Sequence, residues 1–444
     1  MLLWVNHIWI GVDDTDSVKG GCTTYVARAL INQVIQNGYD IIGYPRLVRL
    51  NPNIPWKTRG NGALAFRIGR GKGKPMNIGE VNGLDLIAYR QPKNDDEQVD
   101  DSSLKKLVTK TVQRYAQLDD ENTNPGFVLL PEQPDRSWYT KTVQEIVRIQ
   151  DVTAYLNSVG AMYKQYKNGR GIIGATAAIS WTSTRDRTYE LITYRKKARW
   201  GTKRRVNDAS VKKMDTICPT TFDNYDYLNR HNRLVPNSPC PILYGIRGEN
   251  PRDLVSALSL VISESRDGWL LFETNQGSDD HLQKKHISEV HPYHSVIITG
   301  SVKTTPRTLV GGHVIFQLRD STGVIDCAAY EPTKQFRSII RGLTVGDCIS
   351  VYGGIRKKPL TINIEKIKVH RLAPLLKKVE NPVCPVCGKH MKSRGTCQGY
   401  KCRRCGTFSE KPRSILQPRL VMKGFYEVPV CARRHLSKPL KRMK

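Results

Sequence analysis

Residues 7–12 (HIWIGV) carry the alternation of a strand and stop at the polar turn DDTDSVKGG. Residues 24–36 (TYVARALINQVIQ) follow with apolar side chains at Tyr25, Val26, Ala29, Leu30 and Val34, a helical spacing. A second strand pattern, 41–50, leads through the loop NPNIPWKTRGNG into a third, 63–68, and the texture is α/β. From 91 to 121 the chain is acidic at Asp95, Asp96, Glu97, Asp100, Asp101, Asp119, Asp120 and Glu121, which predicts a solvated, partly helical surface and not a metal site. A second α/β region, about 169–285, holds GRGIIGATAAISW, the strand TYELITYR, a very basic loop over 195–213, the turn-rich TTFDNYDY and the loop ETNQGSDDH. Residues 294–372 are purely β: VIITGSV, HVIFQLRDSTG, VIDCAAY, DCISVYGG and LTINIEKIKVH predict an OB-type barrel.

Length makes this several domains, since 444 residues exceed the ~100–200 of one domain. At 39% hydrophobic and 25% charged the chain can build real cores, which excludes a wholly disordered protein. No run approaches the ~18 apolar residues of a membrane span. The opening MLLWVNHIWI lacks a basic start, is broken by Asn6 and His7, and runs into Asp13 and Asp14. It reads as a strand and not as a signal peptide, so the expected location is cytoplasmic.

Charge changes the picture more. Seventy Lys and Arg oppose 40 Asp and Glu, a net +30, which points to a polyanion partner, usually nucleic acid. The excess is uneven: residues 383–444 hold 16 Lys or Arg against Glu410 and Glu427, a net +14. A nucleic-acid platform at the C-terminus and different chemistry at the N-terminus is the division this predicts.

The eleven cysteines include five within residues 384–405. Cys384-Pro-Val-Cys387 and Cys402-Arg-Arg-Cys405 stand 14 residues apart, two knuckles that together complete a tetrahedral structural zinc site. Four protein ligands leave no open position for catalysis. Cys397 lies outside both knuckles and is expected in a loop. In the barrel, Phe316, Tyr330, Phe336 and Tyr352 are candidates for stacking bases and Arg307, Arg319 and Lys334 for phosphates; filling the barrel core is the competing role for each aromatic.

The N-terminal loop is the chemical centre. Asp13, Asp14 and Asp16 follow a strand directly, where carboxylates hold magnesium through one or two oxygens plus phosphate. Gly20 and Gly21 precede Cys22, Thr23 and Thr24 at a helix start, where exposed N–H groups and the positive helix end favour phosphate, with Lys19 alongside. Together they predict a nucleoside triphosphate with magnesium beside hydroxyls, although no Walker loop is present. A capped acidic turn is the competing reading. Lys57, Thr58, Arg59, Gly60, Asn61 and Gly62 add cations and flexible backbone suited to phosphate, and would equally make a hairpin turn.

The stretches IGVDDTDSVKGGCTTYVA, YPRLVRLNPNIPWKTRGNGA, NTNPG, WGTKRRV, TTFDNYD, LYGIRG and TNQGSDDH resemble, in order and over nearly the whole chain, the archaeal isoleucine-tRNA agmatinylcytidine synthetases, the TiaS family. The resemblance implies an ATP-binding kinase-like domain over 1–165, a ferredoxin-like α+β domain over 166–290, an OB-fold nucleic-acid-binding domain over 291–375, and a zinc ribbon with a basic tail over 376–444. It implies an ATP-dependent ligase that replaces the C2 oxygen of the wobble cytidine of an isoleucine tRNA with agmatine, so that the anticodon reads AUA instead of AUG. ATP would end as AMP and two phosphates. Carried over by motif, Asp13, Asp14 and Asp16 hold magnesium and triphosphate, and Thr23 matches the family's autophosphorylated threonine, with Thr24 as its neighbouring alternative. Lys19, Gly20, Gly21, Thr24, Lys57, Arg59, Gly60 and Asn61 would bind ATP. Asp223, Asp226 and Asp279 are the candidates for agmatine, with capping of their own turns as the competing role. The departures are a short N-terminal extension, Gly21 before the cysteine, and the basic ending KPLKRMK. The rival from another class is a non-catalytic binder of RNA or single-stranded DNA, for which DDTD before a glycine-threonine helix start has no use. An ATP-dependent nucleic-acid ligase of other specificity lacks its KxDG-like lysine motif here.

Overall fold

The alternation of HIWIGVD builds the first layers. From strand His7–Asp13, Ile8, Ile10 and Val12 pack on one face against Val26, Leu30 and Val34 of helix Thr23–Gln36 and Val108 of helix Asp101–Tyr115. Trp9 turns to the other face, among Val128, Ala175 and Ile179. Helix Thr23–Gln36 ends where Gly38 adopts φ 84° and its N–H bonds back to Ile35, a left-handed stop that glycine takes without strain. Helix Gly171–Ser180 lies so close beneath the strand that a Cβ on Gly174 would sit 1.9 Å from Asp13 Oδ2. The glycines of GRGIIGA are therefore a packing surface at the floor of the acidic loop.

The computed structural model describes residues 7–93, 100–184, 186–396 and 398–443; the positions Asp95, Asp96, Glu97 and Cys397 lie outside the described residues. Eleven strands form one sheet that runs through both α/β regions. Strand Arg266–Thr274 joins them, antiparallel to Met76–Val81 and parallel to Asp40–Arg49. The basic stretch expected as a loop over 195–213 is partly helical, because Asn207 accepts from Ser210 N and starts helix Asp208–Ile217. Among the described residues no helix is long and apolar enough to cross a membrane.

The five expected β segments close into a barrel, since Ser295–Val302 pairs with both Cys348–Arg356 and Val314–Arg319. Phe316 and Phe336 are buried in its core with Val296, Ile298 and Val351, which corrects their assignment as stacking aromatics. Tyr330 and Tyr352 stay half-buried; Tyr330 packs edge-on against His313 and its hydroxyl accepts from Arg356 at 2.9 Å. Arg307, Arg319 and Lys334 are exposed.

The C-terminal segment does not hang free as a basic arm. After the ribbon, strand Gly424–Glu427 pairs with Thr361–Arg371 of the barrel, and the residues that follow wedge between the barrel and the large sheet. Arg433 pairs with Asp223 and with Glu427; Lys438 and Arg442 share Asp186, each at 2.8 Å. Asp226 accepts from Cys431 N at 2.9 Å, and Asp279 takes Lys366 Nζ and Lys438 N, both at 2.7 Å. The three aspartates expected to hold agmatine are thus engaged in anchoring this segment.

Glu365, 4% exposed, meets Arg434 at 3.2 Å and His281 at 3.1 Å. Burial pushes its carboxyl up, but Arg434 and then His281 outweigh that and bring the pKa down to about 2. The folded value lies below the unfolded one of about 4.3, so the pairing stabilises fully above that pH and is lost as pH falls through the folded value. The shift is worth about 3 kcal/mol. Urea unfolding as a function of pH is expected to show wild type more stable than Glu365→Gln at neutral pH, with the gap closing between pH ~4.3 and about 2. A gap that persists at the acid end would mean the carboxylate's charge contributes nothing.

Candidate active site

A cavity of about 360 Å³ opens where the end of the first strand, the start of helix Thr23–Gln36, the loop 56–62 and the loop 233–240 meet, with His435 of the C-terminal segment closing one side. Asp13, Asp14 and Asp16 line it. Asp14 adopts φ 55°, a left-handed turn that aspartate tolerates and that swings the loop away from the strand. Asp14 accepts from Arg170 at 2.7 Å and Asp16 meets Arg59 at 3.1 Å. Asp13 makes no ion pair among the described residues. Burial raises all three carboxyls, Asp13 well above its usual range with Asp14 adding to the effect, while Arg170 and Arg59 pull Asp14 and Asp16 back.

As placed, the three carboxylates do not converge on one point; among the described residues the one group set to share an ion is Cys384, Cys387, Cys402 and Cys405. Magnesium asks less than a full cage, since it binds through one or two carboxylates plus phosphate oxygens and water. Asp13, which makes no ion pair among the described residues, would fit that role, with Asp14 and Asp16 beside it.

Thr23 is the first residue of its helix, 6% exposed and on the cavity wall, and its hydroxyl accepts from Thr15 at 3.2 Å. Cys22, at the N-cap, makes no side-chain cap bond, and its thiol contacts Thr24 Oγ1 at 3.0 Å. Burial pushes the Cys22 thiol up to about 11, which removes it as a nucleophile. Lys57, Arg59, Gly60 and Asn61 line the cavity as expected from their motif. Gly20 and Gly21 do not: their carbonyls, with that of Ser17, face Arg59 at 2.7–2.9 Å, so this turn orients the guanidinium. Lys19 is exposed and outside the cavity.

Several cavity residues carried no expectation. Arg170, just ahead of the glycine-rich helix, pairs with Asp14. Glu190, 5% exposed, takes Arg49 at 3.5 Å, Arg247 at 3.3 Å and the amide of Gln276. A glutamate in the middle of TYELITYR, where the strand pattern calls for burial on both faces, was the readable signal. His435 had none.

In the ribbon the four Sγ atoms lie within 4.8 Å of one another, as a tetrahedral ion with bonds of ~2.3 Å and edges of ~3.8 Å requires. Gly388 and Gly406, at φ 70° and 72°, turn each knuckle in a conformation that other residues rarely adopt.

Family models match in chain order: the TiaS TCKD domain over residues 9–168, the TiaS FLD domain over 169–281, the OB-fold nucleic acid binding domain over 294–369 and the TiaS C-terminal zinc ribbon domain over 381–421. The chain is 44% identical to the isoleucine-tRNA 2-agmatinylcytidine synthetase TiaS of Methanocaldococcus jannaschii, with 98% of each chain covered. It is 39% identical to that of Archaeoglobus fulgidus over the same shares. It superposes on a crystal structure of TiaS with isoleucine tRNA and ATP at TM-score 0.84 and 39% identity, covering 99% of this chain and 98% of that one. A complex of TiaS with the tRNA, AMPCPP and agmatine gives 0.82 and 37% over the same shares. With every domain matched in order and identity sustained from end to end, the chain belongs to the TiaS family.

Proposed function

We propose that the chain is an ATP-dependent tRNA-modifying enzyme that joins agmatine to C2 of the wobble cytidine of an isoleucine tRNA through a phosphorylated cytidine. The observation that carries this is one cavity bringing buried carboxylates, a helix-start hydroxyl and a cationic loop together. Residues 1–165 act as the kinase-like part and 166–290 as the ferredoxin-like part, with the barrel over 291–375 and the ribbon within 376–444 holding RNA. We place the reaction in the cytoplasm, with its tRNA and ATP.

The chemistry explains the ATP. Oxide does not leave a pyrimidine carbon, so the oxygen must first become phosphate. Lys57 and Arg59 face the triphosphate, and Arg59 is preset by three backbone carbonyls. Asp13, with Asp14 and Asp16, would hold magnesium, which neutralises the charge that develops on the transferring phosphoryl group. Thr23 is the acceptor placed at the positive end of the helix. A free amine of agmatine then adds at C2 and expels phosphate.

Agmatine is a dication, and carboxylates are its natural partners. Asp223, Asp226 and Asp279 act on it indirectly, by holding the segment that closes the cavity. The carboxylates facing the cavity besides the aspartate loop are Glu190 and Glu145. A second cavity, of about 500 Å³, shares Lys57 with the first and is lined by Arg356, Lys357, Lys358 and Arg434. It is the path we assign to the RNA backbone, because such cations neutralise phosphates without reading sequence.

The test is transfer of radiolabelled agmatine to isoleucine tRNA transcripts with cytidine or uridine at the wobble position. Label in the cytidine transcript alone, dependent on ATP, is the expected result. Tight RNA binding with no transfer would favour the non-catalytic binder.

The ribbon yields a separate expectation. Metal analysis should find one zinc per chain, and Cys402→Ser should release it, unfold the ribbon and weaken tRNA binding, because a closed four-thiolate site supplies its own folding energy. ATP cleavage should be much less affected. Unchanged zinc in Cys402→Ser would remove the ion from this site.

A further inference from the structure

His435 reaches the cavity from the far end of the chain. Its backbone carbonyl accepts from Gly277 N at 2.8 Å, and the next residue's carbonyl accepts from Asp279 N at 2.9 Å, which pins the segment. The ring's Nδ1 lies 2.9 Å from Gln276 Oε1. The amide of the same Gln276 donates to Glu190 Oε2, and Glu190 also receives Arg49 and Arg247.

That chain of bonds sets the tautomer. Guanidinium groups only donate, so the Glu190 oxygens they face act as acceptors, and Gln276 must turn its NH₂ to Glu190 and its oxygen to His435. Gln276 oxygen can only accept, so the Nδ1 of His435 carries the proton. In the neutral ring Nε2 is then a bare acceptor. No residue bonds it among the described residues, and this edge of the ring lies against Gly60 on the cavity wall, where a Cβ would stand 3.0 Å from Nε2.

We propose that His435 is the proton acceptor of the amine-transfer step, its free Nε2 held toward the cavity by the Glu190 and Gln276 relay; the inference rests on the reading of the site given under Proposed function. Agmatine attacks as its free amine. Its nitrogen lone pair forms the C–N bond at C2, and the nitrogen, now positive, becomes acidic. Nε2 takes that proton, the C–O bond breaks with its electron pair leaving on phosphate, and the imidazolium then passes its proton to water. Burial, and then Arg49, Arg247 and Arg233, hold its pKa well below the usual histidine value, which leaves Nε2 unprotonated before the step and makes the imidazolium give its proton up readily afterwards.

His435→Ala and His435→Asn, assayed with isoleucine tRNA and ATP for AMP release and for agmatine transfer, test this. Asparagine keeps a donor for Gln276 and lacks a basic nitrogen. Both variants are expected to lose agmatine transfer by about a hundredfold or more, far beyond any loss in AMP release, as the removal of a general base does. Added imidazole should restore part of the transfer in His435→Ala. Full transfer in His435→Asn, an equal loss of both activities, or no rescue by imidazole would each overturn the proposal while the proposed function stands. A wild-type protein that releases AMP and transfers no agmatine would overturn the proposed function itself, and this inference with it.

Discussion

Asp14→Ala or Asp16→Ala is expected to abolish ATP cleavage while tRNA binding survives. Both carboxylates sit in a cavity built by the first strand and its neighbours, whereas the cations we assign to RNA lie on the barrel side and in the ribbon. Each substitution also frees an arginine, Arg170 from Asp14 and Arg59 from Asp16, so affinity for the triphosphate should hold or rise as turnover falls. The loss belongs to the transition state, where removing one preorganised charge typically costs about a hundred- to a thousandfold. Equilibrium nucleotide binding and single-turnover AMP release separate the two effects. Loss of tRNA affinity with intact ATP cleavage would reverse the division of labour between the two ends of the chain.

Asp13 adds a linked signature. Burial, and then Asp14, raise its folded pKa above that of the unfolded chain, so ionising it in the folded state is unfavourable. The sign is opposite to that of Glu365: stability is greatest below the unfolded value, about 3.9, and falls as pH rises through the folded one. Asp13→Asn should therefore be more stable than wild type at neutral pH without metal, and inactive, the exchange of stability for function common at reactive sites.

What the sequence made legible was local. Strand, acidic turn and helix occupy 30 consecutive residues, His7 to Gln36, and the zinc ligands 22, from Cys384 to Cys405, so spacing alone carries them. The barrel strands were equally legible, and their alternation held more than was drawn from it: Val314, Phe316 and Leu318 share one face, which already places Phe316 in the core. What stayed hidden depends on chain closure over long distances. The pairing of Arg266–Thr274 with Met76–Val81, the return of Gly424–Glu427 to the barrel, and the seating of His435 beside Gly60 join residues that lie far apart along the chain. The seating of the basic ending was hidden for the same reason. Its Arg433, Lys438 and Arg442 look like an arm for nucleic acid until Asp223, Asp186 and Glu249 are found opposite them.

Thr23 is expected to carry phosphate after incubation with ATP, and Thr23→Ala to lose agmatine transfer. The competing role, a helix cap, would cost only about 1 kcal/mol of stability and leave catalysis largely intact. The structure puts Cys22, not Thr23, at the N-cap position, and among the described residues the Thr23 hydroxyl has Thr15 as its one side-chain partner, at 3.2 Å. A threonine at the first helical position lies where exposed N–H groups and the helix dipole collect phosphate. Arg59 and Lys57 line the same cavity, so a phosphoryl group there would find both a positive field and an acceptor oxygen. Thr24 is less free, with its hydroxyl 3.0 Å from the Cys22 sulfur and its carbonyl accepting from Tyr194 at 3.0 Å. Mass spectrometry of the peptide spanning Gly20 to Arg28 locates the phosphate. Phosphate on Thr24, or full transfer by Thr23→Ala with no phosphopeptide, would leave Thr23 a packing residue and require the phosphoryl group to pass directly from ATP to the cytidine.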